Sequence, residues 1–490
     1  MKALFIKPAS ADAAGNMVAD LIYGCWCNGR RVGGMQMPPL NELYAATHAR
    51  QQGIDTDFVD ARFERDRFDE IMRRRFDAYF AVVLMSSTQS FRQDVQFLQR
   101  VKDVKPAVRS ILFGSHPTFM PEYCLRESVV DFIVQREPEE SIRALLAAIG
   151  RDEPVGHLTG IGRRDHDGRP RISEPRPLIE FDTLPIPDRT LLPRNVDYFN
   201  PVVRRVPYTT MQTSRGCPGR CIFCTAPAFY GNKYRFRSTG RVLEELHEIR
   251  RLGYREVFFR DETFTVYKPR TMEICERMLS EQLDLTWIAN GRVDMVDRET
   301  MQLMKRAGCH LLKFGVETGD DGMLRTYCKG TTSAQAEEAF RLAREIGLDT
   351  HAHIIFGGPG ETTATIHKTI DFVKRLRPAT ASFGILTPYP GTRLFDAVAR
   401  KRPEILDGSA SNMANLHTTG FFCEDICDLS GDVLAKAVVQ AYRRFYLRLG
   451  YLAGRVFRRK SLEEFMIQAI AGFNVILFAI TGRKQSHESA

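Results

Sequence analysis

The first 150 residues alternate short apolar runs with segments of helical hydrophobic periodicity. The apolar runs predict five strands, at residues 3–7, 56–60, 79–86, 110–114 and 131–135. The periodic segments between them predict helices at residues 40–52, 68–76, 91–101 and 139–149. Strands and helices that alternate at this spacing predict a doubly wound parallel sheet, which binds ligands at the carboxyl ends of its strands.

This alternation stops at residue 151 and returns at residue 207. Residues 151–206 are rich in proline, arginine and aspartate, which predicts an ordered linker. Six further strands are predicted within residues 207–395, at 208–213, 256–259, 286–289, 310–315, 351–356 and 382–386. Helical segments such as 242–252 and 334–346 separate them, which predicts a partial barrel or an open parallel sheet. Residues 396–490 predict a mostly helical C-terminal region.

The composition is that of a soluble globular chain. Apolar residues make up 43% and charged residues 26% of 490 residues. The apolar run at the N-terminus is too short for a signal peptide, so we expect a cytoplasmic protein. In that reducing compartment, the 11 cysteines indicate thiols or metal and cluster ligands rather than disulfides. A net charge of +9 is compatible with scattered surface arginines, and we expect no nucleic-acid partner.

One cysteine motif carries chemistry. Cys217, Cys221 and Cys224 follow directly on a predicted strand with CxxxCxxC spacing. Three thiolates leave one position of a tetrahedral zinc ion unfilled, so a zinc knuckle would need a distant fourth ligand. The same three thiolates can hold three irons of a [4Fe-4S] cluster and leave the fourth iron open.

The loop TSRGCP at residues 213–218, with CIFC at 221–224, resembles the signature of the radical S-adenosylmethionine (SAM) superfamily. Strand ends at residues 259–264, 314–319, 356–362 and 387–392 resemble later motifs of that family. The resemblance implies a partial (β/α)6 barrel, with Cys217, Cys221 and Cys224 as the cluster ligands. The residues that it implies for SAM binding are Phe223, Asp261, Glu262, Arg292, Glu317, Gly357, Gly358, Gly360, Pro388 and Tyr389.

The N-terminal domain resembles the cobalamin-binding domains that are fused to radical enzymes. FGSHPTFMP at residues 113–121 and DFIVQREPE at 131–139 carry this resemblance, and the domain lacks the GxGxxG of a dinucleotide site. Residues 7–12 lack the DxHxxG histidine that ligates cobalt in other cobalamin domains, which implies base-off cobalamin. Arg136 and Pro138 replace two glycines of the family pattern. The implied cobalamin-binding residues are Pro8, Ser86, Ser87, Thr88, Gly114, Ser115, His116, Pro117 and Thr118.

Together these resemblances cover nearly the whole chain and imply a cobalamin-dependent radical SAM enzyme. The expected reaction is methylation of an unactivated carbon, on a lipid-, hopanoid- or porphyrin-like substrate or a secondary metabolite. Two alternatives remain: oxidative cyclisation or ring rearrangement without methyl transfer, and a non-catalytic cobalamin or cluster sensor. The expected partners are a small-molecule substrate and a reductant such as flavodoxin or ferredoxin.

Other features of the sequence are less specific. The pairs Cys25/Cys27 and Cys423/Cys427 do not specify a second cluster, and Cys328 either faces the cavity or is a buried, inert thiol. His116 either contacts the tail of the cofactor or makes a local hydrogen bond.

The C-terminal tail is strongly basic and contains an apolar segment. Residues 442–490 include nine basic and three acidic side chains, on either side of a 16-residue apolar run at 465–480. That run is short for a membrane span. A basic-flanked apolar helix either lies on an anionic membrane surface or docks on the barrel. The protein is therefore expected in the cytoplasm or peripherally on the inner face of the membrane.

Overall fold

The computed structural model describes residues 2–9, 17–18, 29–30, 32, 35–194, 196, 198–407, 423–456 and 461–482. Two large sheets and a mostly helical C-terminal region make up this part of the chain, which confirms the predicted α/β fold class. Cys25, Cys27 and the side chain of Cys423 lie outside the described residues.

Seven strands form the N-terminal sheet. They are β1 Lys2–Lys7, β2 Thr56–Asp60, β3 Tyr79–Met85, β4 Arg109–Phe113, β5 Phe132–Val134, β6 Ile161–Arg164 and β7 Pro170–Ile172. Their spatial order is β2-β1-β3-β4-β5-β6-β7, and β1 to β5 run parallel. Because the winding reverses between β1 and β3, their carboxyl ends form a crevice suited to a ligand.

Helices cover both faces of this sheet. They are α1 Leu40–Gln51, α2 Arg65–Glu70, α3 Phe91–Val104, α4 Ser115–Phe119, α5 Pro121–Arg126 and α6 Glu139–Gly150. The apolar sides of α1 and α6 pack on one face of the sheet, and that of α3 packs on the other. The helix predicted at residues 68–76 instead ends at Glu70 and continues as a wider π-helical turn, Ile71–Arg75.

Strands β6 and β7 were not predicted, and they lie within the segment expected to be a linker. They extend the sheet as an antiparallel hairpin, with Gly168 in the left-handed region (φ +77°) at the turn. Asp167-Gly168 is a common hairpin turn pair, so a local signal was present. The many charged residues on both strands obscured the alternation that would have completed the pattern.

Six parallel strands in sequential order form the second sheet. They are β8 Tyr208–Met211, β9 Glu256–Phe259, β10 Thr286–Gly291, β11 Cys309–Glu317, β12 Asp349–Phe356 and β13 Thr380–Ile385. The accompanying helices are α7 Ala226–Tyr230, α8 Thr239–Arg251, α9 Lys268–Ser280, α10 Arg298–Arg306, α11 Asp321–Thr326, α12 Ser333–Ile346, α13 Thr363–Leu376 and α14 Arg393–Ala399. Every predicted strand of this region is present, close to its expected bounds.

The floor of the barrel is apolar. Ile288 of β10 packs inward with Phe258 and Leu311, whereas its neighbour Trp287 packs on the helical side. Tyr198 and Val203 belong to the same inner cluster, although they come from the segment before the first barrel strand. The carboxyl ends of the strands are therefore the place for functional side chains.

The C-terminal region adds α15 Cys423–Ile426, α16 Gly431–Tyr446, α17 Leu449–Val456 and α18 Leu462–Thr481. Helix α16 packs against β13, where the Tyr446 hydroxyl donates to the Ala381 carbonyl at 2.6 Å. Helix α18 lies on α16, with the Phe478 ring edge-on to Tyr442 at 5.1 Å between centroids.

Helix α18 is longer than the predicted 16-residue apolar run, because Leu462–Glu464 and Thr481 extend it to 20 residues. Its mean hydropathy is 1.7 over the most apolar 18-residue window. By length and composition alone, it is the one helix in the described part of the chain that could cross a membrane.

Candidate active site

The three-cysteine loop follows β8 and lies between two short segments, Ser214–Arg215 and Arg235–Phe236, which pair antiparallel. Gly216 starts the loop with a left-handed backbone (φ +89°). The Lys233 carbonyl lies where a β-carbon would stand, so a side chain has no room at this position. The loop then presents three half-buried thiols, those of Cys217, Cys221 and Cys224.

No three His, Cys, Asp or Glu side chains among the described residues come close enough to bind a single metal ion. A zinc knuckle, one of the two interpretations of the spacing, requires that convergence. The thiolates of a four-iron cluster bind different irons and need not converge on one point. The loop therefore fits an iron–sulfur cluster better than zinc.

Backbone hydrogen bonds hold the loop on two sides. The Ile222 N–H donates to the Tyr327 carbonyl at 3.1 Å, and the Leu394 N–H donates to the Ile222 carbonyl at 3.0 Å. Phe223, predicted to contact SAM, is buried with its ring perpendicular to Tyr327, at 5.7 Å between centroids. Its side chain thus anchors the loop and leaves its backbone for ligand contact.

The two acids after β9 have different surroundings. Asp261 is fully buried and accepts from the Thr213 N–H and the Ser214 hydroxyl, each at 2.6 Å, so it organises the base of the loop. Glu262 accepts from the Gly216 N–H at 2.9 Å. Burial, reinforced by the charge of Asp261, raises the pKa of Glu262 to about 8. Of these two predicted SAM ligands, Glu262 is the one placed beside the cysteine loop.

A buried ion pair lies at the end of β11. The Lys329 ammonium donates to Glu317 Oε1 at 2.6 Å. The other carboxylate oxygen, Glu317 Oε2, is buried and has no hydrogen-bond partner among the described residues. Gly315 leaves room for the pair, since a β-carbon there would stand 2.8 Å from the Lys329 nitrogen. An unsatisfied carboxylate oxygen in this place suits a ligand hydroxyl or amine.

Arg292 brings a second cation to the cysteine loop. Its guanidinium binds both oxygens of Asp294 at 3.0 Å and donates to the Lys329 carbonyl at 3.0 Å. A β-carbon on Gly219 would lie 3.1 Å from Arg292 Nη1 and 3.4 Å from Cys217 Sγ. The guanidinium therefore lies next to the thiols, where it can also meet a carboxylate.

The glycine turn after β12 packs against Tyr327. Gly357 and Gly360 have positive φ angles of +90° and +82°, as a tight turn requires. Gly358 must lack a side chain because the Tyr327 ring occupies the space of its β-carbon. Tyr327 thus connects this turn to Phe223 in the cysteine loop.

The carboxyl ends of the two sheets face each other. Gln89, after β3, donates to the Tyr389 hydroxyl, after β13, at 3.1 Å. Gly391 in the same loop lies against the ring of Phe119 from the N-terminal domain. Of the two residues of this loop predicted to bind SAM, Pro388 and Tyr389, Tyr389 therefore takes part in the contact between the domains.

A buried arginine locks this arrangement. Arg215 has no solvent exposure, and its guanidinium donates to Glu139 Oε1 at 2.5 Å and lies 3.3 Å from Glu137 Oε1. Both carboxylates belong to the N-terminal domain, and Glu137 also accepts from Arg235 at 2.5 Å. Burial alone would lower the pKa of Arg215, but Glu139 and Glu137 raise it well above its usual value. The residue before the cysteine loop is thus tied to the opposite sheet.

The two departures from the family pattern fit this contact. Arg136 occupies a glycine position and adopts a left-handed backbone with φ +56°. Pro138 precedes the first turn of α6, whose Glu139 reaches Arg215. Both carboxylates of the pattern, Glu137 and Glu139, are retained, and both lie near the Arg215 guanidinium.

Most predicted side chains at the edge of the N-terminal sheet already have protein partners. Ser86 donates to Asp94 at 2.6 Å, and Thr118 donates to the Gly114 carbonyl at 2.6 Å. The Ser87 hydroxyl lies 3.0 Å from that of Ser90. These hydrogen bonds fix the orientation of the side chains at the edge of the sheet.

Other polar atoms at this edge are buried and unsatisfied. They are Gln89 Oε1, Ser115 Oγ, His116 Nε2 and Gln135 Oε1, none with a hydrogen-bond partner among the described residues. They follow three neighbouring strands, β3, β4 and β5. Because buried polar atoms are normally paired, this group fits the amides and hydroxyls of a large polar ligand such as the cobalamin tail.

His116 makes a local hydrogen bond with one ring nitrogen, and its other ring nitrogen has no partner among the described residues. Its Nδ1 atom lies 3.2 Å from the Thr88 hydroxyl, and its ring packs on Phe91 and Tyr123 at 4.7 and 5.6 Å between centroids. Burial lowers the pKa of His116 to about 3, so the ring is neutral at ordinary pH. The local hydrogen bond is present, and Nε2 remains for a ligand.

Lys329 and the pair Arg215–Glu139 are the features that the sequence did not reveal. Lys329 stands 12 residues after its partner, and its neighbour Cys328 is exposed rather than buried. The only sequence signal for the second pair was the spacing of the two acids at the start of α6, Glu137 just before the helix and Glu139 at its first residue.

Comparison with known proteins gives two matching family profiles. The radical SAM superfamily matches residues 211–373, and the B12 binding domain matches residues 30–146. An uncharacterized methyltransferase of Pyrococcus horikoshii is 32% identical over 435 residues, covering 87% of this chain and 92% of that protein.

A second relative is the anaerobic magnesium-protoporphyrin IX monomethyl ester cyclase of Rubrivivax gelatinosus. It is 26% identical over 489 residues, covering 96% of this chain and 82% of that protein. Among solved structures, the radical SAM methyltransferase TsrM of Kitasatospora setae, with cobalamin and a [4Fe-4S] cluster bound, matches with a TM-score of 0.65. It is 18% identical and covers 82% of this chain and 78% of that one, a likeness of fold.

Protonation of His116 should make the N-terminal domain acid-sensitive. Its pKa lies near 3 in the folded chain and near 6.5 when unfolded, so the stability it contributes is present above pH 6.5 and lost as the pH falls. When the pH is lowered from 6.5 to about 5, the free energy of unfolding of the native chain should fall by about 2 kcal/mol more than that of His116→Gln. Urea unfolding at the two pH values measures this, with His166→Gln, at a 90% exposed side chain, as the control. An equal decrease in the free energy of unfolding for the native chain and His116→Gln would contradict the expectation.

Proposed function

Because this chain belongs to the cobalamin-binding branch of the radical SAM superfamily, we propose that it methylates an unactivated carbon of a small-molecule substrate. One observation carries this proposal: Arg215, directly before the cysteine loop, binds Glu139 of the cobalamin-type domain, and Gln89 at the edge of its sheet binds Tyr389 of the barrel. A relative named as a methyltransferase, matched over most of both chains, supports it.

The bound groups supply the chemistry, since the cluster and SAM provide a 5′-deoxyadenosyl radical and cobalamin carries the methyl group. Cys217, Cys221 and Cys224 would hold the cluster. The anchored backbone at Ile222 and Phe223 keeps the thiols in place.

The ion pair at the end of β11 would position SAM. Glu317 Oε2 would be the buried acceptor for a ribose hydroxyl or the methionyl amine, and the hydrogen bond from Lys329 orients that carboxylate. Arg292 lies beside the cysteine loop, where it can pair with the methionyl carboxylate. The turn at Gly357 and Gly360 remains our proposed boundary of the adenine site.

On the facing edge, base-off cobalamin would satisfy the four unpaired polar atoms. Gln89 and Gln135 offer side-chain oxygens that accept from corrin or tail amides, whereas Ser115 can also donate. Neutral His116 offers Nε2 as acceptor or donor, depending on its tautomer.

The second candidate reaction is radical cyclisation without methyl transfer. A relative named as a cyclase aligns with 96% of this chain, more than the relative named as a methyltransferase. Its identity is lower, 26% against 32%, so methyl transfer remains the first proposal.

We also propose the partners of the reaction. A low-potential electron donor such as flavodoxin or ferredoxin would reduce the cluster, and the substrate would be hydrophobic, of lipid, hopanoid or porphyrin type. The basic and apolar C-terminal region would place a cytoplasmic enzyme peripherally on the inner face of a membrane.

Metal content tests both cofactor sites. Anaerobic reconstitution with iron, sulfide and hydroxocobalamin should give about four irons and one cobalt per chain. Cys217→Ala, Cys221→Ala and Cys224→Ala should each lose most of the iron but keep the cobalt, because the two sites lie on different sheets. Cys328→Ala, at an exposed neighbouring thiol, should keep both metals. Full iron without cobalt would refute the proposed cobalamin site.

The products of SAM separate methyl transfer from cyclisation. Prereduced holoenzyme should release about one S-adenosylhomocysteine per bound cobalamin even without substrate, because the methyl group moves to the cofactor. Turnover with substrate should then form S-adenosylhomocysteine together with 5′-deoxyadenosine, both measured by chromatography. A cyclase would form 5′-deoxyadenosine alone, and that result would overturn the methylation proposal in favour of the second candidate.

Loss of the Lys329 charge should weaken SAM binding without removing the cluster. Lys329→Met leaves Glu317 buried without its cation, so the dissociation constant for SAM should rise about tenfold to hundredfold. Equilibrium ultrafiltration on reconstituted protein measures this alongside iron content. Lys368→Met breaks an exposed pair with Asp320 and should leave both values unchanged. An unchanged affinity in Lys329→Met would exclude the positioning role.

A further inference from the structure

Helix α18 has one apolar side that no part of the described chain covers. Seven large apolar side chains are 36% to 78% exposed: Leu462, Phe465, Met466, Ile470, Phe473, Ile476 and Ile480. At about 100° per residue they fall within an arc of about 140° along the whole helix. We name these seven residues the apolar stripe. A monomeric protein rarely exposes so continuous an apolar surface without a partner.

The opposite side of the helix is fixed to the protein. Ala471, Phe478 and Ala479 are buried there, and the Ala479 carbonyl accepts from Arg443 at 3.0 Å. At the N-terminal end, Glu463 accepts from the Val206 N–H at 2.7 Å. These contacts anchor both ends of the helix to the enzyme.

This anchoring distinguishes a surface element from a membrane span. A spanning helix would have to release Phe478 from Tyr442 and take Glu463 and Glu464 into hydrocarbon. A helix held along one side can instead insert its other side to the depth of the acyl boundary. Only 22% of its most apolar 18-residue window is buried in the protein, so the exposed side offers a large contact area.

Charge decides between a membrane and a second copy of the chain. Residues 442–490, which include the helix, carry nine basic and three acidic side chains. Two of these acids, Glu463 and Glu464, already lie within 3.6 Å of Arg255 and Arg204, respectively. Pairing two copies through the stripe would bring two such basic segments together, whereas anionic lipid headgroups would neutralise them.

We propose that α18 lies flat in the interface of an anionic membrane, with the apolar stripe among the acyl chains and the barrel above it. The lipids at the proposed membrane contact are thus anionic, and the residues of the apolar stripe make the contact. The inference about α18 rests on the proposed membrane contact, but not on the reaction that the enzyme catalyses. Helix α18 would thus face the membrane on one side and pack on α16 on the other, and α16 supports β13 of the barrel.

The test is vesicle flotation of the full-length reconstituted protein. It should float with phosphatidylcholine vesicles containing about 30% phosphatidylglycerol, and much less with phosphatidylcholine alone or at about 0.5 M salt. The double variant Ile470→Gln/Phe473→Gln should reduce the bound-to-free ratio by about tenfold or more. The control Val104→Gln/Leu406→Gln changes two equally exposed apolar residues elsewhere and should float like the native chain.

Further readouts separate the possible outcomes. An alkaline carbonate wash should release the bound protein from the vesicles. Protein that stays on the vesicles after the wash would show that α18 spans the membrane, which contradicts the proposed surface position. A dimer in sedimentation velocity that the double variant dissociates, without flotation of the native chain, would assign the stripe to a second copy. Equal flotation of the native chain and the folded double variant would exclude the apolar stripe as the membrane contact. Formation of 5′-deoxyadenosine without vesicles tests the enzyme separately, so failure of one proposal leaves the other standing.

Discussion

Burial of a single charge, the guanidinium of Arg215, fixes how the two sheets lie relative to each other. A guanidinium without solvent contact is stable only if carboxylates and hydrogen bonds surround it. Glu139 and Glu137 supply them from the N-terminal domain, and Gln212 accepts from Arg215 Nε at 3.1 Å. Separating the domains would leave several unpaired charges, so the edge of one sheet stays opposite the mouth of the other.

The same principle extends from this contact into the barrel. Arg237 donates to Glu245 at 2.7 Å, and Glu245 also accepts from Arg189 at 2.6 Å, with all three side chains buried. The rings of Tyr44 and Phe181 lie against both Arg215 and Arg237, at 4.5 to 5.6 Å from the rings to the guanidinium carbons. A row of buried cations between aromatic rings thus ties the N-terminal domain, the following segment and the cysteine loop into one support for the site.

The sequence predicted the strands well because buried parallel strands are continuous apolar runs between helices. It could not predict the end of β11, where Glu317 adopts a left-handed backbone with φ +66° and turns its carboxylate toward Lys329. Motif resemblance located the site loops, but it could not separate Glu262 beside the cysteine loop from Asp261 beneath it, since both lie in one short turn. Contacts between distant segments, such as Arg215 with Glu139, have no local pattern and required the fold.

The inner apolar cluster has a consequence for where this protein can be divided. Tyr198 and Val203 complete the floor of the barrel beneath Phe258, although they precede β8. The backbone amides of Arg204 and Arg205 both donate to Glu256, each at 2.9 Å. A fragment cut before residue 207, where the barrel pattern begins in the sequence, would therefore expose apolar side chains and a buried carboxylate. The smallest fragment expected to fold as a complete barrel therefore also includes the segment before β8 that contains Tyr198 and Val203.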